Sequence, residues 1–318
     1  MCGIVGSFTK NSTPGLDELL QESLLALHHR GPDDRGKEVL HFNAGQLALG
    51  HTRLSVIDIS QRGHQPMHSP DERYTIIFNG EIYNYKELGQ ELRALGRSFS
   101  SDSDTEILLA AWAEWQEECL PKLVGMFAFV VLDREKLTLS GCRDAFGIKP
   151  FFYRHQAGKL HFASEIPALL KLWGGSPEPN WQRIYDYLVC GRADDQEYTF
   201  FKDVQQLLPG HWFHFSLEKP QSLLVNRWWW PNIEERADLC FEKAAEKIRG
   251  TFLESVRLHL RSDVPIGAAL SGGIDSSAVV CAMRYLEPDL PIHTFSYLAR
   301  GSNNNEEHWV DIVNNYVD

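Results

Sequence analysis

The chain has 318 residues, 43% of them hydrophobic and 23% charged, an ordinary globular composition with room for one large domain or two medium ones. Its formal net charge of -12, from 43 acidic and 31 basic residues, argues against a broad nucleic-acid footprint, although backbone donors can still hold a phosphate inside an acidic protein. No signal peptide, lipidation stretch or run of membrane-spanning length stands out, and the six cysteines at 2, 119, 142, 190, 240 and 281 form neither a CxxC pair nor a cysteine–histidine cluster. Zinc, a disulfide framework, a membrane and nucleic acid are therefore not expected, and a reducing cytoplasm is.

In chain order, CGIVGSF reads as a short apolar strand. Pro14 to His29 places Leu16, Leu19, Leu20, Leu24 and Leu27 at helical spacing. LALGHTRLSVI and YTIIFNGEIYN are strand-like, and Tyr85–Leu95 and Asp104–Leu120 predict helices. GMFAFVVLDREKLTLSGCRD and PFFYRHQAGKLHFAS predict hairpins, the second turning at Ala157-Gly158. Gly174, Gly175, Pro177 and Pro179 make Lys171–Asn180 a loop. Arg183–Val189 is a short helix, and LLPGHWFHFSLE a turn and a strand. NRWWWPNIEE reads as a loop.

From about residue 235 the pattern changes to helix (Glu235–Leu260), strand (VPIGAAL), helix (Asp275–Leu286), strand (IHTFSYL) and helix (Glu306–Tyr316). That order predicts a parallel sheet with covering helices. The expected division is 1–222 for the first domain, 223–234 for a linker and 235–318 for the second. Two strands are too few for a covered parallel sheet, so the second domain is expected to be incomplete. GSNNNEEH reads as a shortened loop.

Cys2 is the first candidate for chemistry. Removal of Met1 would leave a thiol and a free α-amine on one residue. That amine titrates near 8 and can act as the base for its own side chain, so the thiol can attack a carbonyl without a histidine. Taken singly, the residues that follow have plain alternatives. Arg53 could be a surface ion-pair partner, Asp104 a helix N-terminal charge and Asn79-Gly80 a hairpin turn.

MCGIVG, LHHRGPDD, GHTRLSVID, FNGEIYN, SDTEILL, FAFVVLD, RDAFGIKPFFY and FASEI occur in this order over residues 1 to 170. Together they closely resemble the glutaminase domain of class II glutamine amidotransferases. The resemblance implies an α+β fold, a four-layer αββα sandwich of the N-terminal-nucleophile hydrolases. It implies that Cys2 attacks the glutamine side-chain amide and forms a γ-glutamyl thioester. Asn79, by its side-chain amide, and Gly80, by its backbone N–H, would form the oxyanion hole. Arg53 would hold the substrate α-carboxylate, and Glu81 and Asp104 its α-ammonium. Arg30 and Asp33 would order a covering loop. Ala145 stands where close relatives more often have proline.

The second candidate is Leu270-Ser271-Gly272-Gly273-Ile274-Asp275-Ser276-Ser277, at the end of a predicted strand and the start of a helix. Backbone N–H groups converge on a helix N-terminus there, glycines permit close approach, and three hydroxyls can donate to phosphate. Asp275 would repel phosphate unless it held Mg2+. The form SGGxDS resembles the pyrophosphate loop of ATP pyrophosphatases, which implies ATP as a substrate. Thr294, Phe295 and Ser296 on the next strand would line an adenine pocket.

The pairing resembles the glutamine-hydrolysing asparagine synthetase family, and Arg227 to Trp230 resembles the Tyr-Trp segment before its synthetase domain. The resemblance implies adenylation of a carboxylate, foremost aspartate, amidation by ammonia, and release of AMP and PPi. Other readings are amidation or cyclisation of another carboxylate, such as a peptide or sugar acid, the glutaminase component of a two-chain synthetase, and a non-catalytic scaffold. The expected partners are glutamine and a carboxylic acid, with a homodimer or a second chain completing the synthetase domain. The family's Gly-x-Gly-x-Asp-Glu motif does not follow Ser296.

Overall fold

The computed structural model describes residues 1–193, 196–236, 238–302 and 305–318. The contacts divide the chain into two compact units, Met1–Pro231 and Asn232–Asp318. The first contains β1 (Gly3–Thr9), α1 (Leu16–Ala26), β2 (Asp34–Phe42), β3 (Gly45–Arg53), β4 (Met67–His68), β5 (Tyr74–Ile82), α2 (Tyr85–Ala94), α3 (Asp104–Trp115), β6 (Gly125–Asp133), β7 (Thr138–Arg143), β8 (Phe152–Gln156), β9 (Lys159–Ala163), α4 (Ile166–Trp173), α5 (Trp181–Cys190), β10 (Gln205–Gln206), β11 (His211–Ser216) and β12 (Leu223–Arg227).

The strands form two six-stranded sheets, ordered β10-β8-β9-β1-β3-β2 and β12-β11-β7-β6-β5-β4. Their pairings are antiparallel. Side-chain alternation along each strand then builds four layers. Ile4 and Phe8 of β1, Leu47 and Leu49 of β3, Ile77 of β5 and Val130 and Leu132 of β6 pack between the sheets. The opposite faces differ by one residue. Val5, Ala48 and Ala163 meet Leu20 and Leu24 of α1 and Leu169 of α4. Ile76, Phe78, Phe129 and Val131 meet Leu92 of α2 and Leu108 and Trp112 of α3. This is the αββα sandwich that the resemblance implies.

Several boundaries differ from the sequence reading. Helical structure continues through Trp173, inside the predicted loop, because Leu169 and Leu172 are buried under the first sheet. Gly174 in a left-handed conformation then ends α4. The predicted Asp104–Leu120 helix stops at Trp115, and a 3-10 segment, Gln116–Lys122, follows. Leu223–Arg227, assigned to the linker, pairs with β11 as an edge strand, and Trp228 stacks on Phe127 at 6.0 Å between ring centroids. The first unit therefore runs past residue 222 to Pro231. The β8–β9 turn falls at Ala157-Gly158, both with positive φ, 51° and 72°.

The second unit contains α6 (Phe241–His259), β13 (Gly267–Ala269), α7 (Ile274–Leu286), β14 (His293–Phe295) and α8 (Glu307–Val317). β13 and β14 pair in parallel. The helix expected from Glu235 begins at Phe241, and Ala237 lies outside the described residues. So do Asn303 and Asn304, within the stretch read as a shortened loop. Leu270, Val280, Val310 and Val317 form a small core. No helix among the described residues is long and apolar enough to cross a membrane.

Candidate active site

The layer between the sheets changes character at one end. Along β1, Cys2 continues the inward series of Ile4 and Phe8, and along β3 His51 and Arg53 continue that of Leu47 and Leu49. Along β5, Asn79 and Glu81 continue that of Ile77. Two-residue periodicity thus carries five polar side chains to the mouth of an otherwise apolar layer. Cys2, Arg53, Asn79, Gly80, Glu81 and Asp104 all line one pocket of about 270 Å³. The six glutaminase residues singled out in the sequence, from four separate segments, therefore meet.

Cys2 is half-buried, and its Sγ accepts from the Leu54 N–H at 3.4 Å. Burial pushes its thiol pKa up, while the Leu54 hydrogen bond and the nearby chain terminus oppose that. Burial also lowers the pKa of the Met1 amine, which favours its neutral, proton-accepting form. Arg30 Nε donates to the Cys2 carbonyl at 2.9 Å and Arg30 Nη1 to Glu165 at 2.8 Å, so Arg30 fixes the backbone of Cys2. Lys149, 3% exposed, also lines the pocket. Burial lowers its pKa, against the opposing charges of Glu81 and Cys2. The sequence reading quoted Lys149 inside a motif and gave it no role.

Asn79 is fully buried, yet neither its Oδ1 nor its Nδ2 has a hydrogen-bond partner. Burying both ends of an amide unpaired is costly, and at the pocket wall both ends can bond to a group that enters the pocket. Asn79 and Gly80 lie within β5, not in a turn. A Cβ on Gly80 would sit 2.3 Å from the Met126 carbonyl, so the close approach of β6 requires glycine there.

The peptide groups around Asn79 are held from the open edge of β5. Phe78 N–H donates to Gln65 Oε1 at 2.6 Å, and His51 Nε2–H donates to Phe78 O at 2.9 Å. Ile82 N–H donates to Asp104 Oδ2 at 2.9 Å. N–H groups of alternate residues point to one side of a strand, so Gly80 N–H points the same way as those of Phe78 and Ile82. Gln65 Nε2 also reaches Thr105 Oγ1 at 3.3 Å, which ties β5 to the first turn of α3. Burial holds the His51 pKa down at about 3, so its ring is neutral. Sequence reading missed both His51 and Gln65. The HTR and HQP segments carry them, but which peptide they hold depends on register.

Arg53 is 6% exposed, which removes the surface ion-pair alternative. Its Nη1 donates to Ser60 O at 2.7 Å, and its Nη2 to the carbonyls of Ile57 and Asp58. The guanidinium is therefore fixed by the 57–60 loop. Its Nε–H and second Nη1–H remain for a ligand. Asp104 opens α3, where Ser103 caps the helix by accepting from Thr105 N–H. Burial, with the charge of Glu81 adding, raises its pKa to about 7. Two cations, Arg53 and Lys149, and two carboxylates, Glu81 and Asp104, thus stand around the thiol and the unpaired amide.

In the second unit, Leu270 N–H donates to Phe295 O at 2.9 Å and Ser296 Oγ to Leu270 O at 2.6 Å. These bonds set β14 against the loop. Ser271 Oγ and Ser276 Oγ lie 3.1 Å apart across the loop. Gly272 has φ +81°, and a Cβ there would meet Trp309 Cβ at 2.6 Å. Gly273 caps α7, and Asp275 and Ser276 fall in its first turn, with Ser277 next. The Thr294 hydroxyl bonds Asn314 Oδ1 at 3.0 Å, and Phe295 is exposed. The Thr294, Phe295 and Ser296 backbone therefore stands beside the loop, with both hydroxyls already engaged.

A glutamine amidotransferase domain family matches residues 1–229, and an asparagine synthase family matches residues 247–318. Asparagine synthetase (glutamine-hydrolyzing) 1 of Bacillus subtilis (strain 168) is 36% identical over 304 residues, 95% of this chain and 46% of that protein. A putative asparagine synthetase (glutamine-hydrolyzing) 2 of Methanocaldococcus jannaschii is 31% identical over 332 residues, 99% of this chain and 63% of that protein. An amidase of Penicillium rubens is 36% identical over 269 residues, 83% of this chain and 38% of that protein. The chain spans about half the length of the curated relatives it matches. Among solved structures, the glutamine phosphoribosylpyrophosphate amidotransferase from B. subtilis shares the fold, with a TM-score of 0.51 and 17% identity over 92% of this chain and 65% of that one.

Proposed function

The chain belongs to the family in which a class II glutamine amidotransferase domain is joined to an asparagine synthetase-type domain, and on that premise we propose that it hydrolyses free glutamine at Cys2 and delivers the ammonia to an ATP-activated carboxylate. With Met1 removed, the Cys2 amine takes the thiol proton as Sγ attacks the glutamine side-chain carbonyl. Asn79 Nδ2 and Gly80 N–H donate to the oxyanion. Collapse expels the amide nitrogen, which leaves as ammonia with that proton. Water then hydrolyses the thioester to glutamate and restores the thiol. Arg53 receives the α-carboxylate, and Glu81 and Asp104 the α-ammonium. A glutamine inside a peptide has neither charge, so this set selects the free amino acid.

In the second half-reaction the acceptor carboxylate attacks the α-phosphate of ATP and PPi leaves. Ammonia then displaces AMP from the acyl-adenylate to give the amide. Backbone donors of Ser271 to Gly273 and the hydroxyls of Ser276 and Ser277 would hold the phosphates. Among the described residues, no three His, Cys, Asp or Glu side chains converge on a metal-sized site. Asp275 alone fits Mg2+ that takes its other ligands from phosphates and water, where the ion would offset phosphate charge. Aspartate is the acceptor we propose first, on the names of the synthetase relatives. The amidase relative, at the same 36% identity over a shorter stretch, favours as a second reading another carboxylate at the same step.

The buried, unpaired amide of Asn79 in one pocket with Cys2 carries the glutaminase reading. The test is glutamate release from glutamine, with the intact mass of the protein recorded in the same run. Turnover by the chain lacking Met1, abolished by Cys2→Ala, is the expected result. A chain lacking Met1 that turns over no glutamine, with or without ATP and aspartate, would overturn it.

A further inference from the structure

A second cavity, of about 260 Å³, lies on the opposite face of the first sheet, beneath α1 and α4. Cross-strand register makes a row there: Ser7 on β1 pairs with His161 on β9, and His161 pairs with Arg154 on β8. Directly opposed side chains lie within contact distance, and two bases so placed repel one another unless one is neutral or an anion joins them. Arg154 is 7% and His161 4% exposed. Arg154 Nε and His161 Nε2 are buried without a hydrogen-bond partner. Ser7 Oγ and His161 Nδ1 are 3.0 Å apart. If the hydroxyl donates in that bond, Nε2 carries the proton and is a donor. Lys159 lines the same cavity from the exposed start of β9, and Trp173 closes it by stacking on Arg154, 4.0 Å from guanidinium carbon to ring centroid.

The donors are in excess. None of the described lining residues is acidic. The nearest carboxylate to Arg154, that of half-buried Asp203, stands 3.9 Å from Nη2, and Gln156 Oε1 occupies Nη2. Thr13 Oγ1 donates to Thr9 Oγ1, which donates to Asn11 O, so these hydroxyls offer no free proton. Burial and the charges of Arg154 and Lys159 hold the His161 pKa down at about 4. A buried cation with an open N–H, beside a neutral imidazole with another, is what a small oxyanion would complete.

We propose that the Ser7–His161–Arg154 row, with Lys159 at its mouth, is a binding site for a small oxyanion, phosphate or carboxylate, separate from the glutamine pocket. Ser7 lies five residues beyond Cys2, about 17 Å along an extended chain, and points to the other face of the sheet. The site is independent of the glutaminase reading.

The experiment is calorimetric titration of the full chain with inorganic phosphate and, separately, with acetate, while histidine ring 15N resonances are followed. The expected result is saturable binding with movement of the His161 ring signals and a rise in its pKa. Arg154→Gln should abolish binding. Lys159→Ala, at the exposed first position of β9, should weaken it up to about fivefold, the weight of an exposed charge pair. Cys2→Ala should leave it intact. Saturation by phosphate alone would identify a phosphate site, and by acetate alone a carboxylate site. No saturation by either anion with His161 unmoved would mean a cavity that holds only water, and binding indifferent to both Arg154→Gln and Lys159→Ala would place the anion elsewhere. Either result overturns the proposal.

Discussion

His51 on β3 and Phe78 on β5 are joined across the two sheets by a hydrogen bond of 2.9 Å. Phe78 O can only accept, so the imidazole is the Nε2–H tautomer, and its buried Nδ1 is left without a partner. The bond crosses an apolar layer one residue before the unpaired amide of Asn79. With Gln65 on the Phe78 N–H, both polar groups of that residue are fixed by side chains.

His51→Leu should therefore lower glutamine turnover by about tenfold with little change in KM, because it releases the strand that carries Asn79 without touching the substrate-charge residues. Folding stability should fall by about 1–2 kcal/mol, as the Phe78 carbonyl loses its buried donor. His51→Gln, which restores a donor, should recover part of the turnover. A loss confined to KM would count against this role.

Asn79→Ala should separate activity from stability. Turnover should fall by about 10²–10³-fold, the usual effect of removing one oxyanion donor. Urea unfolding should show unchanged stability or a gain of about 1 kcal/mol, since no protein group loses a partner. A large destabilisation would mean that the amide is bonded after all.

Asp104 makes the site sensitive to pH. Its pKa is raised to about 7, chiefly by burial, so the folded chain holds this proton more tightly than the unfolded one. The group therefore subtracts stability progressively as pH rises from about 4 through 7. Asp104→Asn should be more stable than the parent above pH 7, by on the order of 1–3 kcal/mol, and equal to it near pH 4. The parent's KM for glutamine should fall as pH rises through 7, as the carboxylate that meets the ammonium ionises. In the variant that dependence should flatten.

Lys149→Met should slow alkylation of Cys2 by iodoacetamide by about 3–10-fold at neutral pH, because a nearby cation favours the thiolate. Rates measured across pH would show the thiol titrating higher in the variant. An unchanged profile would show that the Lys149 charge does not reach the thiol.

The convergence of Cys2, Arg53, Asn79, Gly80, Glu81 and Asp104 on one pocket was legible because each sits in a short motif of restricted chemistry, and strand periodicity alone turns Cys2, Arg53, Asn79 and Glu81 to one side of their strands. The residues that hold them were not. Gln65 and His51 act on Phe78 through a register between strands far apart in sequence, and Lys149 is an ordinary lysine until burial makes its charge matter. α4 was hidden by the Gly174-Gly175 pair that ends it. β12 was hidden because Leu224 and Val225 are exposed on an edge strand and show no buried alternation. Arg154 and His161 lay inside a correctly placed hairpin, with nothing local to mark them as neighbours of Ser7.

Cys2, directly before β1, and Asn79, within β5, are the next inward positions after Ile4 and Ile77, on chain that runs without interruption from the apolar layer to the pocket. No hinge separates the chemistry from the centre of the first unit. Under a rising concentration of chaotrope, glutaminase activity should thus disappear together with the near-ultraviolet signal of the packed aromatic rings, in a single event. The site should open no earlier than the interior it grows from.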